Sequence, residues 1–115
     1  MRYRLLTGTS LALVAMVAFA HHGWDGYDAS KTLKLSGTLE QPAYENPHAT
    51  TELKTADAKW HVVLAPPSRM MSRGLSRDML VAGATVTIEG YPHRTNEGEL
   101  RAERITINGK TIELR

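Results

Sequence analysis

Apolar and polar residues alternate along several short stretches of this chain. Residues 32–39 are the clearest case, because Leu33, Leu35 and Leu39 are separated by polar positions. A period of two is typical of a strand with one buried face. Gly37 interrupts this strand and predicts a bulge or a sharp bend there. The same alternation predicts strands over residues 49–54, 60–65, 84–90, 100–107 and 111–114.

The connections between these strands carry recognisable turn and helix signals. After the third strand, residues 68–75 predict a short helix that starts at Pro67 or Ser68 and closes at Gly74. Residues 76–80 predict a further turn, with Ser76 as its cap. Asn108 and Gly109 are the preferred pair for a tight hairpin before the last strand.

The order of elements indicates the fold class. A short helix between the third and fourth strands of a small all-β domain is the connectivity of an OB-fold-like barrel. We therefore predict an all-β, OB-fold-like barrel of five to six strands with one short helix between strands 3 and 4. Another small barrel or a β-sandwich remains the alternative, because the strand order is inferred.

The first twenty residues differ from the rest of the chain. Arg2 and Arg4 precede an apolar run that ends at Ala18 and Ala20, the small residues at positions −3 and −1 of a cut after Ala20. This is the pattern of a cleaved secretory signal peptide. An uncleaved anchor is the alternative, but the run is short against the roughly 20 apolar residues that span a bilayer. We predict a signal peptide over 1–20, one domain over 21–115, and a periplasmic or secreted protein without a stable membrane anchor.

Removal of this segment changes the charge of the protein. The whole chain has 14 basic and 12 acidic residues, and Arg2 and Arg4 are in the predicted signal peptide. The mature part then has equal numbers of each sign, which argues against a nucleic-acid-binding surface. The chain has no Cys, so disulfides, thiolate metal sites and Cys nucleophiles are excluded.

The predicted cut gives the histidines a candidate role. It would leave His21 first, and a terminal amino group beside an imidazole chelates a metal. A third nitrogen would complete a T-shaped set of the kind that suits Cu(II). His48, on a turn before the second strand, is the best candidate for that nitrogen. We therefore predict a metal site, with copper as the candidate cofactor, at His21, His22 and His48; an exposed, unligated chain start is the alternative.

Other polar and aromatic residues are candidates for ligand binding. Trp24, Tyr27 and Tyr44 could line a groove that stacks a sugar or another small ring, whereas Trp60 is better explained as a core anchor. Asp28 is close in sequence to the histidine pair and could supply oxygen. Arg69, Arg73 and Arg77 form a basic stripe that is either solvated or open to an acidic partner or carboxylate ligand. The candidate ligand-binding residues are Trp24, Tyr27, Asp28, Tyr44 and Asn46.

Several of these segments together resemble a known family. The segments are His21 to Trp24 with Tyr27 and Asp28, Leu35 to Thr38, Glu45 to His48, Trp60, Arg73 to Leu75, Gly83, and Gly90 to Pro92. The chain resembles the DUF6152 family of small exported bacterial proteins of unknown function. The resemblance covers essentially the whole mature part and implies export and a small β-barrel. It implies no established activity.

The sequence therefore predicts an exported binding protein. The leading hypothesis is copper binding by the mature amino end and His48. The alternative is a metal-free interaction module for a partner protein, a saccharide or a small ligand. An enzyme, such as a copper oxidase or monooxygenase with an amino-terminal His brace, is less favoured, because the domain is small and no catalytic set or phosphate loop is recognisable. We expect an unknown small ligand or a periplasmic protein as partner.

Overall fold

The computed structural model describes residues 22–115 of the protein, and the side chains from Gly23 onward. The predicted signal peptide and His21 lie outside the described residues, as does the side chain of His22. The described strands are β1 (Leu33–Ala43), β2 (Thr50–Lys54), β3 (Lys59–Val63), β4 (Thr85–Pro92), β5 (Glu99–Ile107) and β6 (Lys110–Glu113). The helices are α1 (His22–Asp25), α2 (Pro67–Ser72) and a 3-10 turn (Arg77–Met79).

Five of these strands close into a barrel. β1 pairs with β2 and β4, β2 pairs with β3, and β4 pairs with β5, all antiparallel. The parallel pairing of β3 with β5 closes the barrel, and β6 extends it from β5. Because α2 lies between β3 and β4, this is the predicted OB-fold-like barrel with one additional strand.

The core is the inner face of this barrel. The side chains predicted to point inward from β2, β4, β5 and β6 are buried, and Trp60 packs at the edge of the core as a half-buried residue. Met70 is fully buried under α2, whereas its neighbour Met71 is 55% exposed. The fully buried large side chains are Leu39, Leu53, Leu64, Met70, Leu75, Ile88, Leu100, Ile105, Ile107, Leu114 and Val62.

The first strand is longer than the prediction, and its irregularity lies elsewhere. β1 continues through Pro42 to Ala43, and its register with β2 shifts between Glu40 and Ala43, where Gln41 has a φ of 46°. The register of β1 with β4 runs through Gly37 without a shift, so the bulge alternative predicted there is wrong, and the sharp bend stays a prediction. Gly37 is required for another reason, because a Cβ there would collide with the backbone carbonyl of Lys54.

The predicted turns and helix ends lie where the structure has them. Pro67 starts α2, and Gly74 follows it with a φ of 95°. Asn108 and Gly109 both have positive φ, as a type I′ hairpin requires. The predicted turn after Ser76 is also present, with Ser76 at its N-cap position, although the Ser76 side chain makes no capping hydrogen bond to the 3-10 turn.

A bulge in β5 has a larger effect on the candidate site. Glu89 of β4 pairs with Arg104, but the next residue, Gly90, pairs with Ala102. Glu103 is therefore the extra residue of a β-bulge. Because side chains alternate along a strand, the extra residue reverses which positions face the core. Ile105 and Ile107 face the core on one side of the bulge, and Leu100 and Ala102 on the other.

Within residues 22–115, none of the helices has the length and apolar character that crossing a membrane would require.

Candidate functional site

The segment that follows α1 is bound to one end of the barrel. The backbone amide of Asp28 donates to the carbonyl of Pro92 at 2.9 Å, and that of Arg94 donates to the carbonyl of Gly26 at 2.8 Å. Tyr27 forms an isolated bridge with His93. These contacts fix the segment against the end of β4 and the β4–β5 loop. We call residues 23–30, which include most of α1, the amino-terminal arm.

Tyr27 anchors this arm through its side chain. The residue is 8% exposed, and its hydroxyl donates to Oε2 of Glu99. Burial, followed by this hydrogen bond, raises the pKa of Tyr27. Burial pushes the pKa of Glu99 upward, but hydrogen bonds from Tyr27 and Asn96 outweigh it and leave the pKa below its ordinary value. The pair therefore holds a carboxylate beside a neutral phenol.

Arg101 connects the arm to the turn that carries His48. Its Nη1 donates to the carbonyl of Gly23 at 2.7 Å, and its Nη2 lies 3.2 Å from Nε2 of His48. Because a guanidinium only donates, Nε2 of His48 must accept, and the ring proton is then on Nδ1. One side chain therefore holds the beginning of the arm and the Asn46–Pro47–His48 turn together.

Trp24 lies beside two guanidinium groups. The central carbon of Arg101 is 4.3 Å from the centroid of the indole ring, and that of Arg115 is 4.4 Å from it. Tyr91 meets Trp24 edge-on, with 6.1 Å between ring centroids. Each cation near an indole face is stabilised by the ring quadrupole. Trp24 is thus the aromatic residue of a basic cluster.

The buried charge of Arg101 is incompletely satisfied. The residue is only 5% exposed, and its Nε has no hydrogen-bond partner. Burial, with the charges of Arg69 and Arg115, lowers the pKa of Arg101. Burial, followed by the charges of Arg101 and Arg69, lowers the pKa of His48. His48 is therefore held as a neutral imidazole in a positive environment.

The other predicted site residues are in different surroundings. The Tyr44 side chain is buried, and its hydroxyl donates to the carbonyl of Leu75 at 2.8 Å. Asp28 accepts from the hydroxyl of Ser30 at 2.6 Å, and Asn46 is exposed. The structure therefore brings Trp24 and His48 together through Arg101, and leaves Tyr44 and Asp28 in contacts within the domain.

The remaining histidines also have local partners. Nδ1 of His61 lies 2.8 Å from a carboxylate oxygen of Glu52, across the β2–β3 hairpin. His93 accepts the backbone N–H of Asn96 at 2.9 Å through Nδ1. From Gly23 to Arg115, no three His, Asp or Glu side chains are grouped closely enough to hold a metal ion. His21 and the side chain of His22 lie outside that range.

Sequence reasoning did not single out Arg101 and Arg115. With Ile105 and Ile107 facing inward, strict alternation would direct Arg101 into the apolar core, where an unpaired charge is costly. The bulge at Glu103 removes that conflict by moving Arg101 to the outer face, under Trp24. The signal that could have revealed it is the position of Arg101 between Leu100 and Ala102, which marks it as the outward residue of an otherwise apolar segment.

These features define a small closed β-barrel domain whose amino-terminal arm is fixed by a buried arginine. A family model, described as a family of unknown function (DUF6152), matches residues 9–101. The chain belongs to this family. Comparison with curated proteins found no match.

The barrel also resembles domains within larger solved structures. The crystal structure of the ZRD-deleted mutant of TiaS in complex with agmatine matches 76% of this chain with a TM-score of 0.52 and 21% identity. The crystal structure of TiaS in complex with an isoleucine tRNA and ATP matches 77% of this chain with a TM-score of 0.48 and 21% identity. This chain spans only 25% and 20% of those two chains. At this identity the likeness to the agmatine complex shows the fold alone.

Proposed function

We propose that this protein is an exported, periplasmic binding protein whose mature amino end binds copper through His21, His22 and His48. The observation that supports the proposal most directly is the fork of Arg101. It binds the carbonyl of Gly23 and Nε2 of His48 with the two amino groups of one guanidinium. Gly23 is two residues after His21 in the sequence, and its carbonyl is held by the same side chain as the turn that carries His48.

The charge state of His48 is compatible with this role, and metal binding requires Nε2, the ring nitrogen without a proton, to exchange its hydrogen bond from Arg101 for the metal. A histidine must be neutral to bind a metal, and the lowered pKa of His48 keeps it neutral to lower pH than an ordinary imidazole. The guanidiniums that lower this pKa also oppose a cation. We therefore propose that the amino group and ring of His21 provide most of the affinity, and that His48 completes the coordination.

Copper titration of the mature protein, followed by EPR, tests this proposal. We expect one Cu(II) per protein with nitrogen ligands, and a changed signal in His48→Ala. His61→Ala is the matched control, since His61 is exposed and pairs with Glu52. A protein with one additional residue before His21 should lose most of the affinity. Absence of a tight site, or an EPR signal unchanged in His48→Ala, would refute the proposal.

The export part of the proposal has its own measurement. The intact mass of the exported protein locates the cut, and the mass after copper addition counts the bound metal. We expect a chain that begins at His21 and gains one copper. A mass that retains residues 1–20 would exclude the chelating end.

A metal-free binding module is the second candidate function. It is favoured by the aromatic and basic cluster of Trp24, Arg101 and Arg115, which needs no metal to form. In this case Trp24→Ala weakens ligand or partner binding, and an additional residue before His21 has no effect. Hydrogen peroxide production by the copper-loaded protein would instead favour the enzyme alternative.

A further inference from the structure

Two guanidinium groups contact the amino-terminal arm at Trp24, and a third bonds the backbone next to one of them. Arg69 is in α2, Arg101 is in β5, and Arg115 follows β6. Arg69 donates through Nη1 to the carbonyl of Leu114 at 3.2 Å, directly before Arg115. Arg101 and Arg115 share the Trp24 ring. We call Arg69, Arg101 and Arg115, with His48, the arginine cluster.

Acidic residues do not balance this cluster. Among the described residues, Arg115 is paired with Glu103 at 3.5 Å, whereas none of the salt bridges includes Arg69 or Arg101. The hydrogen bonds of Arg69 and Arg101 go to backbone carbonyls and to the neutral ring of His48. Two positive charges therefore lack a counter-charge.

The charges of the cluster lie within each other's field. Burial is the main cause of the lowered pKa of Arg101, and Arg69 and Arg115 lower it further. A buried cation is costly unless a negative group or a full set of acceptors compensates it, and Nε of Arg101 has no acceptor. A negatively charged ligand would compensate this arrangement.

The surface members of the cluster have donors available for such a ligand. Arg69 uses one Nη1 bond to the carbonyl of Leu114, and Arg115 has a half-exposed side chain. The planar guanidinium fork matches the oxygen pairs of carboxylates and phosphates. Arg101 contributes a buried charge, and both Arg101 and Arg115 lie against the indole ring of Trp24.

We propose that the arginine cluster is the binding site of a small dianion that carries carboxylate or phosphate groups. This proposal deepens the metal-free candidate function by naming its ligand class, and it does not depend on copper. The dianion would lie over Arg69 and Arg115, beside the arm. Its two negative charges would balance Arg69 and Arg101, which have no acidic partner among the described residues, and Arg115 would supply a hydrogen-bond donor.

Calorimetric titration of the exported protein, in the presence of a metal chelator, tests the proposal. Inorganic phosphate and succinate are the two probes, and sodium chloride at the same ionic strength is the reference. We expect saturable binding of one ion per protein and a higher melting temperature than in chloride. Binding of phosphate alone assigns a phosphate ligand, and binding of succinate alone assigns a dicarboxylate. Binding of neither overturns the proposal.

Single substitutions locate the site. Arg69→Gln and Arg115→Gln should each weaken binding by about tenfold or more, because each removes a charge-assisted hydrogen-bond donor. Lys110→Gln is the matched control, since Lys110 is an exposed cation at the opposite end of β6 and in no salt bridge among the described residues. An equal loss of affinity in Lys110→Gln would show that binding depends on the net charge of the protein, and it would overturn the proposed site. A negative result with these anions does not affect the copper titration, so each of the two proposals can be refuted without the other.

Discussion

Nη2 of Arg101 and Nε2 of His48 lie 3.2 Å apart, in a hydrogen bond between residues 53 positions apart in the chain. The same guanidinium holds the carbonyl of Gly23. The contact therefore joins three distant segments of the sequence at one end of the barrel. Its loss should release the arm from the His48 turn.

Substitution of Arg101 tests this role directly. Arg101→Lys retains the charge, but an ammonium cannot reach both acceptors with a planar fork. We expect a loss of about 2 kcal/mol in the free energy of unfolding, because at least one part-buried acceptor, the carbonyl of Gly23 or Nε2 of His48, is left without its donor. Hydrogen exchange at the amides of residues 23–28 should become faster. The matched control is Arg94→Gln, which removes an exposed bond from Nε of Arg94 to the carbonyl of Asp25 and should cost less than about 1 kcal/mol.

His48 predicts a pH dependence of stability. Its pKa in the folded protein is lowered by burial and by Arg101 and Arg69, whereas the unfolded chain takes up a proton near the ordinary value of about 6.5. The unfolded state therefore binds more protons just below that pH, and the free energy of unfolding falls as the pH drops from about 6.5 toward the folded pKa. Urea unfolding between pH 7.5 and 5, roughly the range of this transition, measures it. His48→Gln should abolish this part of the slope, and an unchanged slope would contradict the prediction.

The Tyr27–Glu99 pair predicts a second effect at lower pH. Tyr27→Phe removes the phenol that hydrogen-bonds Glu99, so the pKa of Glu99 should rise. The stability from the lowered pKa of Glu99 is present above the unfolded value of about 4.3 and is lost as the pH falls through the folded pKa. NMR titration of the Glu99 carboxyl checks the shift. At neutral pH we expect a loss of about 1–3 kcal/mol, reduced when Glu99→Gln is made first.

The close strand crossings predict that two glycines are intolerant to substitution. A Cβ at Gly37 would collide with the carbonyl of Lys54, and one at Gly90 with the carbonyl of Arg101. Because backbone atoms cannot rotate away, each Gly→Ala change should cost about 2–3 kcal/mol or more. Gly109→Ala is the control, since Gly109 has a φ of 76° but no neighbour within 4 Å of its Cβ position. We expect only about 1 kcal/mol there, measured by denaturant unfolding.

The barrel could be predicted because its signals are local. Alternation in β2 and β4, the Pro67 start of α2 and the Asn108–Gly109 hairpin each depend on neighbouring residues. The closure between β3 and β5 is a long-range pairing that the order of elements indicated. The sequence did not predict that β1 continues through Pro42 to Ala43. Proline ends most strands and is tolerated only at sheet edges and bulges, and the bulge is not visible in the local sequence.

The candidate site was less predictable, because its centre depends on tertiary structure. Trp24 and His48 are recognisable residues in the sequence, but nothing local connects them to Arg101. That contact depends on the arm packing against one end of the barrel and on the register of β5 with β4. Tyr44 is a case where a recognisable residue has another role. It was predicted to face a ligand, but its hydroxyl donates to the carbonyl of Leu75, just after α2.

The extra residue in β5 has a consequence for how this site can vary. Deleting Glu103 would place Ala102 directly before Arg104, and regular alternation from Ile105 would still direct Arg101 outward. If Glu103 instead joined a regular ladder, Arg101 would point into the barrel, and Leu100 would take its place beneath the indole. A shift of register by one residue that preserves every arginine would thus remove the charge from the arm and place it in the apolar interior. The chemistry of this surface is encoded as much in strand register as in side-chain identity.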